Sequence, residues 1–352
     1  MQQKPQGKHT AAEAARCRLT EKRQIINFKN DNNMKKIFFF IAAAGLLTFA
    51  SCQKLEQDFT VTSEAPAQEI AITPLAGSMT KTIIEGTEFT TTRGIVASAY
   101  LNSGTGYTGS DAYFSNVSFS YNETNKDYRP ANAYYWPLTG TLTINAISAE
   151  TGTGYTAVTP TWTSATKFSY TCADVQPTQD ILVAVNSAAS NSSKGLTFKH
   201  TGALIEVKAK ASAAFAENRG IEITGVTLVG IKPSTTVTVE NGTPSAAAAD
   251  GTTADRTIAS NATNKLSGSL QAIGSKIIVP ANQNFTSLKI DYKLYNGSNS
   301  GVALSLTKEL GSGTWELGKK YTYEITATLN EISVTGSVTD WVGDTTGKDV
   351  QI

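Results

Sequence analysis

Ile205-Glu206-Val207-Lys208 is the stretch on which the fold turns: Ile205 and Val207 point one way, Glu206 and Lys208 the other. A pleated backbone sends successive side chains to opposite sides, so a period of two with one apolar face describes a strand half buried against a core. Similar alternation recurs on both sides of it. No segment after residue 52 sustains a 3.6-residue pattern of helical length. Strands are expected upstream at 70–72, 93–100, 117–121, 142–147, 167–172 and 180–185, separated by Gly, Pro and Asn clusters. From 196 onward they are expected at 196–200, 203–210, 221–229, 235–239, 276–279, 287–295, 302–308, 320–329 and 331–341, with residues 242–264 as a long surface loop.

Composition agrees with this reading. A chain of 352 residues fits about two domains of roughly 100–200 residues each. Hydrophobic residues make up 40% and charged residues only 17%, which supplies cores but not the charged surface of long helices. The abundant Thr, Ser, Asn and Gly favour strands and turns. The expected fold is all-β, two antiparallel β-sandwiches in tandem. Residues 186–194, rich in Ser, Asn and Ala without periodicity, set the boundary, giving domains 52–190 and 191–352.

The net charge of +1 conceals an asymmetry, because nine of the 30 Lys and Arg but only three of the 29 Asp and Glu lie in residues 1–51. The rest carries a net charge of −5, which argues against nucleic acid as a partner, since neutralising phosphates takes a basic face. The basic start has its own explanation. Met34-Lys35-Lys36, the apolar run 37–50 and Ser51-Cys52 form the charged, hydrophobic and small-residue parts of a secretory signal at 34–51. That run is shorter than the roughly 20 residues of a membrane span. Phe49-Ala50-Ser51-Cys52 resembles a bacterial lipobox, with Phe49 where leucine is usual, and the resemblance implies lipidation of Cys52 and an outer-membrane anchor. Residues 1–33 precede any signal of ordinary length and read as an extension ahead of the start at Met34.

Several stretches resemble one family, the fimbrillin-like (Mfa/FimA-type) pilins and lipoproteins of the Bacteroidetes. Met79-Thr80-Lys81-Thr82 and Gly86-Thr87-Glu88-Phe89, followed by Arg93-Gly94-Ile95-Val96-Ala97-Ser98-Ala99-Tyr100, resemble its first paired strands. Tyr134-Tyr135-Trp136-Pro137 leading into Leu142-Thr143-Ile144-Asn145-Ala146 is similar to its aromatic-proline approach to a strand. Phe198-Lys199-His200-Thr201-Gly202-Ala203-Leu204-Ile205 looks like the strand that opens its second domain. Trp315-Glu316-Leu317-Gly318-Lys319-Lys320-Tyr321-Thr322-Tyr323 and Asp340-Trp341 resemble its last strands.

The resemblance implies transthyretin-like sandwiches and a lipoprotein precursor cut after its first strand by a trypsin-like protease, with the vacated groove filled by a terminal strand of the next pilin subunit. Residues 69–75 are the expected removable strand, and Lys81 and Arg93 the candidate cleavage residues. The candidate donor comprises Ile332, Val334, Val338, Val350 and Ile352. Strand exchange of this kind draws affinity from main-chain hydrogen bonds and register from alternate apolar side chains.

Enzyme chemistry has little to work with. Two histidines and three cysteines occur in all, and no nucleophile elbow, phosphate loop, paired-cysteine spacing or zinc-binding helix motif is present. No cofactor is expected, and a secreted hydrolase ranks last among the readings. His200 has no Cys, Asp or second His beside it in sequence, and Tyr135 and Trp136 read as core aromatics. The alternative function is a lipid-anchored glycan-binding or adhesion protein that does not polymerise. Its best aromatic is Trp162, in a stretch with loop character.

Overall fold

The computed structural model describes residues 68–75, 93–102, 112–212, 219–296, 301–328, 331–341 and 350–351, all within the unit Pro66–Ile352. Of the candidate residues, Cys52, Lys81 and Ile352 lie outside this set. The described chain is all-β, without a helix, and almost every strand pairing is antiparallel.

Its first half is built on a six-stranded sheet in the order Lys199–His200, Leu182–Ala189, Thr141–Ser148, Ile95–Asn102, Ala112–Asn122, Asp127–Pro130. The three central strands read as nearly continuous apolar runs because both of their faces are covered. Cross-strand register separates the two faces. Ala97, Ala146 and Ala184 stand in one row and Val96, Ile147 and Val183 in the next. The first row faces a core with Ile70, Ile72, Phe119, Tyr128 and Leu196. The second faces Phe168, Tyr170, Val237 and Val239, which belong to a four-stranded sheet ordered Thr243–Ala246, Thr235–Glu240, Lys167–Cys172, Thr159–Ser164. That sheet joins strands from both sides of residue 190, through the pairing of Thr235–Glu240 with Lys167–Cys172.

The second half is a sandwich of two larger sheets around its own core. One sheet runs Gln271–Ala272, Gly202–Ala211, Lys319–Ala327, Ile332–Asp340, Val350–Gln351; the other runs Ala254–Ala259, Arg219–Ile231, Ser287–Asn296, Val302–Glu309. Ile205 and Val207 are buried in that core, as their alternation requires. Glu206 does lie on the opposite face, but it is buried too. Its carboxylate meets Lys320 Nζ at 3.0 Å, and Lys208 and Lys276 at 3.7 Å. Burial pushes this carboxyl up, yet Lys320 and the other two ammonium groups outweigh it and hold the group below its ordinary range.

Two expectations about loops are corrected. Residues 242–264 contain the strands Thr243–Ala246 and Ala254–Ala259, which edge two different sheets. Trp162 lies in the strand Thr159–Ser164, not in a loop.

Candidate functional site

The segment 68–75 runs through a groove in the first half. On one side its bonds are antiparallel: Ile70 N donates to Tyr134 O at 2.7 Å, Ile72 N to Tyr128 O at 2.9 Å, and Tyr128 N returns to Ile72 O at 2.9 Å. Trp136 N donates to Gln68 O at 2.9 Å, completing a short ladder. On the other side Thr73–Leu75 pairs in parallel with Gly195–Thr197, and Thr73 N donates to Lys194 O at 3.3 Å.

Side chains fix the segment as firmly as its backbone does. Ile70 and Ile72 are both 0% exposed and Ala71 is 2% exposed. The two isoleucines share a core with Phe114, Phe119, Tyr128, Trp136 and Phe198. Fully burying a side chain of this size contributes roughly 1.5–3 kcal/mol. At the rim, Arg129 ties the segment to the groove wall: Nη1 reaches Glu69 at 2.9 Å, while Nε and Nη2 clasp Asp127 at 2.8 and 3.0 Å.

A second polar cluster holds the neighbouring strands. Arg93 lies two residues ahead of the strand Ile95–Asn102, and its guanidinium is buried. It pairs with Glu150 and also donates to Ser148 O at 3.1 Å, to Ser148 Oγ at 3.3 Å and to the carbonyl of Asp180. Glu150 in turn accepts from Asp180 N at 2.7 Å. Burial pushes the Glu150 carboxyl up to about 7; Arg93 pulls against that shift and the nearby Asp180 adds to it. His200 Nδ1 lies 3.1 Å from both carboxylate oxygens of Asp180, and its ring stacks on Trp341 at 3.8 Å. The partner of His200 was invisible locally because Asp180 sits twenty residues away and arrives through the pairing of Lys199–His200 with Leu182–Ala189. Among the described residues, no group of three or more His, Cys, Asp and Glu is placed to hold a metal.

Of the candidate donor residues, Ile332, Val334 and Val338 share one side of their sheet. Ile332 is buried in the second core, and Val334 and Val338 pack against it partly buried. Val350 is the register partner of Val338. The aromatic expectations divide. Trp136 is a core residue, although its indole Nε1 has no hydrogen-bond partner among the described residues, whereas Tyr135 is 44% exposed. Trp162 is half-buried, tilted against Phe168 at 5.1 Å, and donates to Asn116 Oδ1 at 3.2 Å. Those contacts make it a strand-edge packing residue.

The described residues form an all-β body in which a strand-like segment is seated against two others, and that architecture defines a fold class. Residues 80–341 match the family model described as fimbrillin-like, and the chain belongs to that family. Among solved structures it is similar to a fimbrial protein from Bacteroides vulgatus, with 16% identity, 72% of this chain and 93% of the other covered, and a TM-score of 0.51. At that identity the likeness bears on fold alone. A protein assigned to cell adhesion from Bacteroides uniformis shares 16% identity over 78% and 99% of the two chains, with a TM-score of 0.47. A fimbrial assembly protein from Parabacteroides distasonis shares 10% over 81% and 99%, with a TM-score of 0.40. No curated protein matches the sequence.

Proposed function

We propose that the chain is a structural or accessory subunit of a cell-surface fimbria, exported as a lipoprotein through Cys52 and assembled by proteolysis and donor-strand exchange. The role is structural rather than enzymatic, and its partners are other pilin subunits, a trypsin-like processing protease and the outer membrane. The observation that carries this reading is the groove segment. Removing residues 68–75 would leave the sites of Ile70 and Ile72 empty and deprive the backbone of Tyr128, Tyr134 and Trp136 of its partners. Apolar slots and unpaired main-chain groups together favour capture of another strand.

Cleavage falls at Lys81 or Arg93. A cut at Arg93 first requires its guanidinium to leave Glu150, because a trypsin-like pocket must receive that side chain. Limited trypsin treatment is expected to convert monomer into SDS-resistant oligomers, and deletion of residues 331–352 to prevent it. Cleaved full-length protein that stays monomeric at high concentration would sink this reading.

A further inference from the structure

The segment that fills the groove reads Glu69-Ile70-Ala71-Ile72-Thr73, and the strand near the C-terminus reads Glu331-Ile332-Ser333-Val334-Thr335. Each is a glutamate, a β-branched apolar residue, a small residue, a second β-branched apolar residue and a threonine. No other glutamate in the chain is followed by this pattern. Each position of the pattern answers a feature of the groove. Glu69 meets Arg129, Ile70 and Ile72 fill closed apolar sites, and the small Ala71 between them is buried as well. Val334 is one methylene smaller than Ile72, so its site accepts the replacement without overpacking, and Ser333 adds only one hydroxyl to the side chain of Ala71.

We propose, resting on the strand-exchange reading, that the groove takes Glu331–Thr335 of a second copy of this chain in one register. Glu331 takes the place of Glu69 at Arg129, and Ile332 and Val334 take the sites of Ile70 and Ile72. Arg129 is then a register-selecting residue. A slip by one position moves both β-branched side chains to the opposite face, and a slip by two removes the carboxylate from the guanidinium.

Burial at these two positions favours the groove. In its own sheet Ile332 is 7% exposed and Val334 is only partly buried, whereas the sites they would enter leave Ile70 and Ile72 at 0%. At home, residues 332–335 pair with Lys319–Ala327 on one side, and the strand beyond them reaches only Ser337 and Val338 among the described residues. In the groove a strand is bonded on one side by Tyr128 and Tyr134 and, at its threonine, by Lys194 on the other.

The register is testable by cross-linking, because Glu69 stands opposite the exposed Tyr135. Protein beginning at Gln53 and carrying Tyr135→Cys with Glu331→Cys is cleaved with trypsin and oxidised mildly; Cys172 is buried and does not compete. Oligomers joined by an intermolecular disulfide, with none formed by Tyr135→Cys with Ser333→Cys, are the expected result. Oligomers that cross-link through position 333 and not 331 overturn the register while leaving strand exchange standing. Absence of oligomers overturns both. Without added cysteines, Glu331→Lys is expected to slow oligomer formation by about fivefold or more, the scale of replacing an exposed ion pair by repulsion, with Glu331→Gln intermediate. Unchanged assembly of Glu331→Lys would remove Arg129 from the selection.

Discussion

At the scale of single residues, the buried pair of Arg93 and Glu150 makes stability depend on pH. The folded chain holds Glu150's proton up to about pH 7 because burial outweighs the guanidinium, while the ordinary value is 4.5. Between those two values the native state binds more protons than the unfolded one. This group's contribution is therefore full below about pH 4.5 and is lost as pH rises through about 7. Glu206 runs the other way, its contribution being present at neutral pH and lost in acid, so only a difference isolates Glu150. Glu150→Gln, neutral throughout, is expected to flatten the decline of stability between pH 5 and about 7.5 in urea titrations, and a parallel decline in both proteins would contradict this. Backbone geometry makes a second residue sensitive. Gly274 has φ +68°, and an added Cβ would lie 2.1 Å from the Ile258 carbonyl oxygen. Gly274→Ala should cost more than about 1 kcal/mol in the same titration. Neither site was legible in sequence, because Arg93 and Glu150 are brought together by sheet pairing and Gly274 looks like any turn glycine until its neighbour is placed.

At the scale of elements, the groove segment is held by a handful of hydrogen bonds, whereas Thr141–Ser148 lies between two full ladders. Segments of that kind open before the centre of a sheet does. The amides of Ile70 and Ile72 are therefore expected to exchange with deuterium faster than those of Asn145 and Ala146; equal protection would mean that the segment opens only with the whole fold. Legibility follows the same distinction between centre and edge. The runs around 142–147 and 203–210 were readable because dense Ile, Leu, Val and Ala face cores there. Thr159–Ser164 and Thr243–Ala246 were not, since each edges a sheet, alternates exposed with half-buried positions and, Trp162 apart, carries Thr, Pro, Ser and Ala in place of large apolar residues. The buried segment at 70–72 was legible from Ile70 and Ile72. Its pairing with Gly195–Thr197 was not, because a three-residue parallel contact has no pattern of its own.

For the whole molecule, the sheet that joins Lys167–Cys172 to Thr235–Glu240 carries a consequence for stability. A fragment ending at residue 190 keeps Phe168 and Tyr170 but loses Val237 and Val239, against which they pack. It should melt at lower temperature than the full chain and bind more of a hydrophobic dye, while an unchanged melt would make the first half self-sufficient. The anchor is a separate matter. Cys52→Ala is expected to release the protein from membranes into the aqueous phase of a detergent partition, since stable anchoring takes two or more acyl chains. Unchanged partitioning would remove lipidation from the account.

The parallel contact of Thr73–Leu75 with Gly195–Thr197 also orders events in time. During synthesis the groove segment is the first of these elements to appear, and the last pieces of its binding site arrive only with Gly195–Thr197 and Phe198. Closing so long a loop is entropically unfavourable until the sheet between has formed. The segment therefore docks after its own half has folded, onto a groove that already stands open. Under the strand-exchange proposal, a newly made chain passes through the receptive state once before it is processed, and during that interval its own N-terminal strand must outrun every strand offered by a neighbour.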